Sequence, residues 1–276
     1  MPKLSIITIN KNNDKGLKKT IESVLNQTSK DFEYIVIDGN STDGSTEVIK
    51  QYENRLSYWV SEPDTGIYNA MNKGIKVAKG EYCQFLNSGD WLLNANVIEQ
   101  VLKDMPECSI LYGNMLKQLP NGKMLVNKQI VVESLLTFYK GTLNHSSSYI
   151  KRSLYEKYGL YDETLKIVSD WKFFLIAIGL NNESVAYRDI DITCFNMNGI
   201  SNKDAALDKS ERYKVLNEIL PANILADYKI YALSIMQINR INKYKLTKWL
   251  VWFIERVLFK IEKWHIGSDN YKNNIL

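Results

Sequence analysis

The sequence predicts an α/β fold: a mostly parallel central sheet flanked by helices, with a helical C-terminal extension. Short apolar runs of strand length alternate with amphipathic stretches of helical spacing through the first hundred residues. The runs are apolar at most positions, which is typical of parallel strands buried on both faces. Strands and helices that alternate in this way build a parallel sheet with helices on both sides.

The predicted elements of the first half follow one another along the chain. The strands are Leu4 to Ile9, Phe32 to Ile37, Ser57 to Val60 and Glu81 to Leu86. The helices are Leu17 to Leu25, Thr46 to Tyr52 and Ile67 to Ala78. Apolar residues recur every three or four positions in these helices, so each helix has one apolar face that can pack against the sheet.

The second half is less regular. Its predicted elements are a hairpin around residues 120–122, strands at Ser146 to Ile150 and Val185 to Tyr187, and a helix at Trp171 to Ile178. After Ser201 the pattern is helical, with a break at Pro221. We therefore predict an α/β unit over residues 1–202 and a helical region over residues 203–276.

Composition and charge indicate the class of protein. The net charge of +4 is too small to imply nucleic acid by itself. Arg240 to Trp264 alone carries seven basic and two acidic residues, so the basic character belongs to the C-terminal tail. Three scattered cysteines without a CxxC pair indicate neither disulfides nor zinc and fit a reducing compartment. No signal peptide precedes the first strand, and no apolar run reaches the ~20 residues that span a bilayer. We expect a cytoplasmic protein.

Polar segments lie at the carboxyl ends of three of the predicted strands, the edge at which parallel sheets bind ligands. These segments are Thr8-Ile9-Asn10, Asp38-Gly39-Asn40-Ser41 and Asn87-Ser88-Gly89-Asp90. A dinucleotide-binding enzyme would have a glycine-rich turn after the first strand, but Asn10 to Gly16 contains neither GxGxxG nor GxxxxGKS/T. A nucleotide at this edge would be held in another way.

Asp90 is placed to hold a divalent cation. A metal bridging the two phosphates of a nucleoside diphosphate offsets the charge that develops as a sugar departs. Such a metal needs a carboxylate on a short loop at a strand end, with positions open to phosphate oxygens. Two structural alternatives remain for Asp90: the cap of a following helix, or a turn residue beside Gly89.

Four motifs occur in order within the first hundred residues. They are Ser5 to Asn10 (SIITIN), Val36 to Ser45 (VIDGNSTDGS), Glu62 to Gly74 (EPDTGIYNAMNKG) and Gly80 to Asp90 (GEYCQFLNSGD). The series resembles the family 2 glycosyltransferases, inverting enzymes of the GT-A fold, and most of all bacterial members that assemble capsule, exopolysaccharide or O-antigen units. The resemblance implies a nucleotide-sugar half (residues 1–95) and an acceptor half (residues 96–202).

The resemblance also implies a reaction and the residues that bind the donor. The enzyme would move a hexosyl unit from a nucleoside diphosphate sugar, expected to be a UDP-sugar, to a glycan or lipid-linked glycan. The implied donor-binding residues are Thr8 and Asn10 in the nucleoside pocket, Asp38 at the base, Asp64 and Asn72 near the sugar and diphosphate, and Asn87 and Asp90 in the acidic motif. Asp43 is more simply a helix cap, and Tyr68 and Met71 are explained by helix packing.

One departure from the family bears on the metal. Many members have Asp-x-Asp-Asp where this chain has Asn87-Ser88-Gly89-Asp90. Asp90 would then hold Mn²⁺ or Mg²⁺ with help from phosphates and water; the alternative is a weakened dependence on metal. A non-catalytic nucleotide-sugar or carbohydrate-binding module of the same fold is the second functional hypothesis.

An inverting transfer requires a general base. The resemblance implies that Asp170 is this base, because it precedes an aromatic helix where the family has an acidic pair, although Ser169 replaces the first acid. Asp170 could cap that helix as well. His145 is predicted to contact the acceptor or the diphosphate, or else to be structural. Ser201 lies in a segment (Asn198 to Ser201) that resembles the family's loop closing over the donor.

The C-terminal tail, Leu246 to Trp264, interleaves tryptophans and other apolar residues with lysine and arginine. This pattern is typical of a helix lying in an anionic membrane interface, where a polyprenyl-linked acceptor would also be found. Packing onto the catalytic domain or a second subunit, as in a homodimer, is the alternative. We expect no nucleic-acid partner.

Overall fold

The computed structural model describes residues 1–103, 105–119, 123–129, 131–132, 134–196, 204–241 and 244–266. The chain divides into two units, Met1–Glu218 and Ile219–Leu276. The functional division after residue 202 stays a prediction.

Strand β1 (Leu4–Asn10) is the centre of the first half of the chain. It is buried at every position and pairs in parallel with β2 (Phe32–Asp38) on one side and β4 (Tyr82–Phe85) on the other. Strand β3 (Tyr58–Ser61) extends the parallel sheet beyond β2. The four predicted strands are thus confirmed, and their carboxyl ends meet at one edge.

Three helices cover this part of the sheet, as the sequence predicts: α1 (Asp14–Leu25), α2 (Ser45–Tyr52) and α3 (Ile67–Val77). Helix α1 begins after Asn13, whose side chain accepts a hydrogen bond from the backbone N–H of Gly16 at 3.2 Å. Its apolar face, with Leu17 and Ile21, packs into the core that includes Ile6 of β1.

The second half of the sheet is mixed, not parallel. It contains β5 (Trp91–Leu92), β6 (Ile110–Gln118), β7 (Met124–Asn127), β8 (Ser148–Lys151) and β9 (Val185–Asn196). Within the described residues the order is β3-β2-β1-β4-β8-β6-β9-β5, with β7 on β6. Strand β8 is antiparallel to both β4 and β6, whereas β9 is parallel to β6. The predicted hairpin is confirmed by the antiparallel β6–β7 pair; its turn lies outside the described residues.

Short helices fill the connections of the second half: α4 (Val97–Leu102), α5 (Leu135–Lys140), α6 (Ser153–Tyr158) and α7 (Ser169–Phe174). The predicted helix at Trp171 to Ile178 corresponds to α7 and to the π-helix Leu175–Leu180 that continues it. Helix α8 (Ala205–Ile219) follows, and the predicted break at Pro221 separates it from α9 (Ala222–Ile241).

The second unit contains α9 and α10 (Lys245–Ile266). The apolar residues of α10 are largely exposed, among them Trp249, Leu250, Trp252, Phe253 and Val257. None of the helices in the described part of the chain has the length and hydropathy that crossing a membrane requires.

Candidate active site

A hydrogen-bonded cluster around Asp38 lies at the carboxyl ends of the first three strands. The register places Asn10 opposite Asp38, and Asp38 opposite Ser61. The Asp38 carboxylate accepts hydrogen bonds from Asn10 Nδ2 at 2.7 Å and Ser61 Oγ at 2.6 Å. It also accepts them from the backbone N–H of Ser41 at 2.9 Å and from Ser41 Oγ at 2.6 Å. Adjacent parallel strands therefore bring the predicted Asn10 and Asp38 together.

These donors determine the charge of Asp38. Burial by itself would raise the pKa of the carboxyl, but the hydrogen bonds from Ser41, Ser61 and Asn10 outweigh it and lower the pKa below its usual value. Four donors also occupy the about four lone-pair positions that a carboxylate offers. A nucleobase N–H would have to replace one of these donors, for example a serine hydroxyl, to bind Asp38. The base contact itself stays a prediction.

Thr8 is not part of this cluster. Its hydroxyl lies in the interior, 2.9 Å from the hydroxyl of Tyr34, and both residues are buried. Asn10 differs, because its Oδ1 is buried and has no hydrogen-bond partner among the described residues. A buried amide oxygen without a partner is unfavourable, and a ligand group that donates to it would be favoured.

Asp64 lies against the loop that follows β2. A β-carbon on Gly39 would lie 2.0 Å from Oδ2 of Asp64, so a larger residue at position 39 would displace the Asp64 side chain. Lys11 Nζ donates to the carbonyl oxygen of the same glycine. Asp64 accepts a hydrogen bond from the backbone N–H of Gly66 at 3.2 Å. The predicted Asp64 is thus next to the Asp38 loop.

Asn72 of α3 has a different environment. Its Nδ2 donates to the carbonyl oxygen of Tyr161 at 2.9 Å and to Glu163 Oε1 at 2.8 Å. Its Oδ1 accepts from the backbone N–H of Tyr161 at 3.0 Å. These contacts fasten α3 to the loop that precedes α7, so the role visible for Asn72 is to position that loop.

The loop from Asn87 to Asp90 is anchored on α1. Thr20 Oγ1 donates to the carbonyl oxygen of Asp90 at 2.6 Å and accepts from the backbone N–H of Gly89 at 2.9 Å. Gly89 has φ of +101°, which favours glycine. Asp90 is buried and leads directly into β5, and the N-cap position of the next helix, α4, is occupied by Asn96. The capping alternative for Asp90 is therefore wrong, and the turn beside Gly89 is present.

A chain of four side chains from separate parts of the sequence runs past this loop. Asn87 Nδ2 lies 3.3 Å from His145 Nε2, and His145 Nδ1 lies 3.2 Å from Asp170 Oδ2. The other oxygen of Asp170 accepts a hydrogen bond from the hydroxyl of Tyr68 at 3.0 Å. The structure therefore joins the predicted Asn87, His145 and Asp170, and it adds Tyr68, which the sequence pattern explains as helix packing.

The charges of His145 and Asp170 are coupled. Burial would raise the pKa of Asp170, but the hydrogen bond and charge of His145 and the hydroxyl of Tyr68 lower it below its usual value. Burial would lower the pKa of His145, but Asp170, and then the charge of Asp90, raise it above its usual value. Asp170 is in the first turn of α7, and Val168 is the N-cap residue.

No cluster of three or more His, Cys, Asp or Glu side chains suited to a metal occurs in the described ranges. Asp90 is the carboxylate of the loop at the end of β4. A single carboxylate is enough to bind a magnesium or manganese ion when phosphate oxygens and water supply the other ligands. Ser201, with its loop, lies outside the described residues.

Solved structures with similar folds are glycosyltransferases. S. aureus TarS 1-349 in complex with UDP-GlcNAc superposes with a TM-score of 0.61 at 20% identity, over 78% of this chain and 64% of that one. The chain therefore spans less than two thirds of the TarS chain. A mannosyltransferase of Pyrobaculum calidifontis in complex with GDP-Man and Mn²⁺ gives a TM-score of 0.55 at 14% identity, over 95% and 86% of the two chains. These likenesses establish the GT-A fold.

Sequence comparison gives the family. An uncharacterized glycosyltransferase of Mycobacterium tuberculosis is 36% identical over 182 residues, which are 64% of this chain and 69% of the relative. Residues 5–155 match the model of Glycosyl transferase family 2. This match covers more than half of the chain and includes the strand-end loops and His145. The protein belongs to glycosyltransferase family 2.

Proposed function

We propose that this protein is an inverting glycosyltransferase that moves a hexosyl unit from a UDP-sugar to a glycan or lipid-linked glycan acceptor in bacterial surface polysaccharide synthesis. The carrying observation is the sheet edge itself. Asn10 and Asp38 end two neighbouring parallel strands, and the Asn87–Asp90 loop follows the third. The His145–Asp170 pair contacts that loop through Asn87. The residues proposed to bind the nucleotide sugar are thus next to a side chain that can accept a proton.

The nucleoside end of the donor belongs at the Asp38 cluster. Asn10 Oδ1 has no partner among the described residues and so is an acceptor for a ribose or base group. Asp38 is held ionised there by its hydrogen bonds, and an anionic acceptor suits the N–H of uracil. The UDP-GlcNAc bound by TarS supports UDP as the nucleotide.

The transfer is a single displacement at the anomeric carbon. The acceptor oxygen forms its bond to that carbon as the bond to the diphosphate breaks, and the nucleoside diphosphate leaves with the electron pair. The acceptor hydroxyl loses its proton to a base, which general acid–base catalysis places within hydrogen-bond reach. Asp170, with His145 beside it, is that proton-accepting group.

We also propose that Asp90 holds a divalent cation, Mn²⁺ or Mg²⁺, together with donor phosphates. The cation would offset the charge on the departing diphosphate. The Mn²⁺ bound with GDP-Man in the Pyrobaculum calidifontis mannosyltransferase supports this assignment. Asp90 is buried, and Thr20 of α1 anchors the backbone of its loop at both Gly89 and Asp90, so the backbone that carries the carboxylate is held in place.

A donor screen tests the proposal. The full-length protein is mixed with UDP-hexoses, UDP-N-acetylhexosamines and GDP-mannose, with and without Mn²⁺, and binding is followed by ligand-observed NMR. UDP release is then measured with the bound donors. We expect a UDP-sugar to bind and to be turned over, slowly with water as acceptor, and Asp90→Asn to reduce the effect of Mn²⁺.

The alternative, a binding module, is favoured by the neutral residues at positions 87 and 89. It predicts donor binding without any release of UDP, at any Mn²⁺ concentration. That result would refute the enzymatic proposal, whereas absence of all donor binding would refute both.

A further inference from the structure

Tyr68 has contacts that packing alone does not explain. It lies in the first turn of α3, it is 5% exposed, and the centre of its ring lies 5.7 Å from that of Tyr161. A phenylalanine ring would pack in the same way. The Tyr68 hydroxyl, however, lies 2.5 Å from the carbonyl oxygen of Ile167 and 3.0 Å from Oδ1 of Asp170. A buried hydroxyl is thus directed at the carboxylate that the proposed function makes the base.

We propose that Tyr68 is a positioning residue for Asp170: its hydroxyl orients the carboxylate, and its helix joins that carboxylate to the loop that contacts the donor. This inference rests on the proposed function and keeps Asp170 as the group that takes the proton from the acceptor hydroxyl. Tyr68 is buried, so it acts through Asp170 and not on the substrates directly.

The donors around Asp170 leave room for one more hydrogen bond. Tyr68 contacts Oδ1 at 3.0 Å, His145 Nδ1 lies 3.2 Å from Oδ2, and the backbone N–H of Trp171 also donates to the carboxylate. A carboxylate offers about four lone-pair positions, so three donors leave about one for the acceptor hydroxyl. The Asp170 side chain is 16% exposed, which permits contact with a substrate. The three donors therefore determine the direction from which Asp170 accepts a proton.

The hydroxyl of Tyr68 has one proton and faces two acceptors. The carbonyl oxygen of Ile167 is the nearer acceptor, but an ionised carboxylate attracts the proton more strongly than a peptide carbonyl does. Once Asp170 has taken up the proton of the acceptor hydroxyl, the Ile167 carbonyl can accept the Tyr68 proton instead. The buried hydroxyl therefore has an acceptor in both charge states of the base.

The backbone before Asp170 is held at the same point. The carbonyl oxygen of Ile167 accepts from Tyr68 of α3, and the N–H of Ile167 donates to Glu211 Oε2 of α8 at 3.0 Å. Ile167 is thus fixed between two helices, three residues before Asp170. Loss of the Tyr68 hydroxyl would free both the side chain of the base and the backbone that leads to it.

Two further residues of α3 hold the loop that precedes α7. Asn69 Nδ2 donates to Glu163 Oε2 at 2.8 Å. Asn72 Nδ2 donates to Glu163 Oε1 at 2.8 Å, and the Asn72 amide also pairs with the backbone of Tyr161. Their spacing places Tyr68, Asn69 and Asn72 on one side of α3. This side of the helix therefore fastens the whole loop from Tyr161 to the base.

The same helix begins at a loop that is proposed to contact the donor. Asp64, which the family resemblance places near the sugar and the diphosphate, accepts a hydrogen bond from the backbone N–H of Gly66 at 3.2 Å. Gly66 is the N-cap residue of α3, and Tyr68 follows two residues later. One short segment thus carries both a donor contact and the contact that orients the base, which restricts the distance between them.

The groups near Asp170 determine how its pKa responds to a change at Tyr68. Burial would raise the pKa of Asp170, but His145 and the Tyr68 hydroxyl lower it below its usual value. Burial and the charge of Asp170 raise the pKa of Tyr68 well above its usual value, so this residue stays a neutral donor. Burial likewise keeps Tyr155 and Tyr161 neutral by raising their pKa values. The other charged groups of α7 and α8 in this region have partners other than the Asp170 carboxylate: Lys172 with Asp162, Arg212 with Asp208, and Glu211 with the backbone of Lys166 and Ile167.

The test compares wild type, Tyr68→Phe and Tyr155→Phe as full-length proteins, with the UDP-sugar that the donor screen identifies. Tyr155 is the matched control, because its buried hydroxyl contacts the hydroxyl of Tyr161 at 3.1 Å and not Asp170. The values of kcat and KM for UDP release are measured across pH, and UDP affinity is measured by calorimetry. We expect Tyr68→Phe to lower kcat about 10–100-fold, the effect of losing a hydrogen bond to a charged group, with KM and UDP affinity close to wild type. Tyr155→Phe should retain the kcat of wild type.

The pH profile distinguishes positioning from packing. Asp170 accepts a proton only when it is ionised, so kcat falls as the pH falls through its pKa. The Tyr68 hydroxyl stabilises the ionised form, so its removal raises the pKa, and the acidic limb of kcat should move to higher pH in Tyr68→Phe. Tyr155→Phe should keep the wild-type limb. An unchanged kcat and limb in Tyr68→Phe, or equal changes in the two variants, would overturn the inference.

Two further measurements cover a Tyr68→Phe variant that does not fold and a wild type without turnover. Tyr68→3-fluorotyrosine keeps the ring and makes the hydroxyl a stronger donor, so the acidic limb should move to lower pH; an unmoved limb would contradict the contact. The carboxyl ¹³C signal of Asp170, assigned with Asp170→Asn, titrates without turnover and should show a lowered pKa in the fluorotyrosine variant. If wild type releases UDP from none of the donors, the proposed function is wrong, and this titration alone decides whether Tyr68 holds Asp170.

Discussion

At the scale of single residues, Asp38 shows how a predicted binding group also holds its own loop. Its carboxylate accepts four hydrogen bonds from Asn10, Ser41 and Ser61, which join the ends of three strands. The Asp38 side chain therefore affects both stability and donor binding. Two substitutions separate these effects.

Asp38→Asn should weaken UDP binding by about tenfold or more and lower the free energy of unfolding by about 1–3 kcal/mol. The amide cannot accept all four donors, and buried donors are left unpaired. Calorimetry with UDP and denaturant unfolding give the two quantities. The matched control is Ser61→Ala, which removes one donor but keeps the acid, so UDP affinity should be retained. Unaltered affinity in Asp38→Asn would refute the base contact.

The strand-end residues could be located from the sequence, whereas their contacts could not. Asn10, Asp38 and the Asn87–Asp90 loop are identifiable because polar residues end apolar strands. The contact between Tyr68 and Asp170 could not be identified from the sequence, because 102 positions separate the two residues. The ring of Tyr68 in α3 is also accounted for by packing of that helix. Thr8 shows the converse: it lies on the same face of β1 as Asn10 but two residues further from the strand end, where its hydroxyl contacts the buried Tyr34.

At the scale of elements, α7 is held by its neighbours. Glu211 of α8 accepts hydrogen bonds from the backbone N–H groups of Lys166 and Ile167, at 2.8 and 3.0 Å. Asp162, in the same loop, accepts from Lys172 Nζ of α7 at 2.6 Å. These contacts lie on both sides of Asp170 and restrict where its carboxylate can be.

The Asp162–Lys172 pair predicts a dependence of stability on pH. Burial would raise the pKa of Asp162, but Lys172 and Thr164 lower it to about 2. A folded pKa below the unfolded value, about 3.9, stabilises the protein above pH 4; this contribution is lost as the pH falls toward 2. Asp162→Asn should therefore lower Tm at pH 7 by a few degrees, about 2–4 °C for each kcal/mol of stability lost. It should also reduce the decrease in Tm between pH 4 and pH 2.

The control for this pair is Glu156→Gln. It removes the i,i+4 pair of Arg152 with Glu156, whose carboxylate side chain is mostly exposed, and such pairs contribute little. Scanning calorimetry from pH 2 to 7 should show a wild-type profile for Glu156→Gln. If Tm decreases equally with pH in the wild type and in Asp162→Asn, the ion-pair explanation is wrong.

The first half of the fold could be predicted because its strands and helices have strong local periodicity. The second half of the fold could not be predicted, because its strand order depends on contacts between segments that are distant in the sequence. Strand β6 pairs in parallel with β9, so Ile110 lies opposite Val185, and no local pattern encodes that register. Helices α4, α5 and α6 have six residues each, too few for a periodic pattern to distinguish them.

At the scale of the whole molecule, charge and apolar surface are concentrated in the same segment. Residues from Arg240 to Trp264 carry a net charge of +5, compared with +4 for the whole chain. Within α10, Leu246, Leu250, Phe253, Val257 and Ile261 share one face by their spacing, and all are exposed. A helix with an apolar face and basic residues matches the chemistry of an anionic membrane surface.

We therefore expect the full-length protein to float with vesicles that contain anionic lipid, and less so at high salt, because the basic residues are then screened. Replacing Leu250, Phe253 and Val257 with serine should abolish flotation, since each removes apolar area that would be buried in the interface. The control replaces Leu125 and Val126 of β7, which are also exposed, and should float like wild type. Equal flotation of the wild type and the triple variant would exclude α10 as the membrane contact, and a concentration-dependent dimer lost in the triple variant would assign this face to a second subunit.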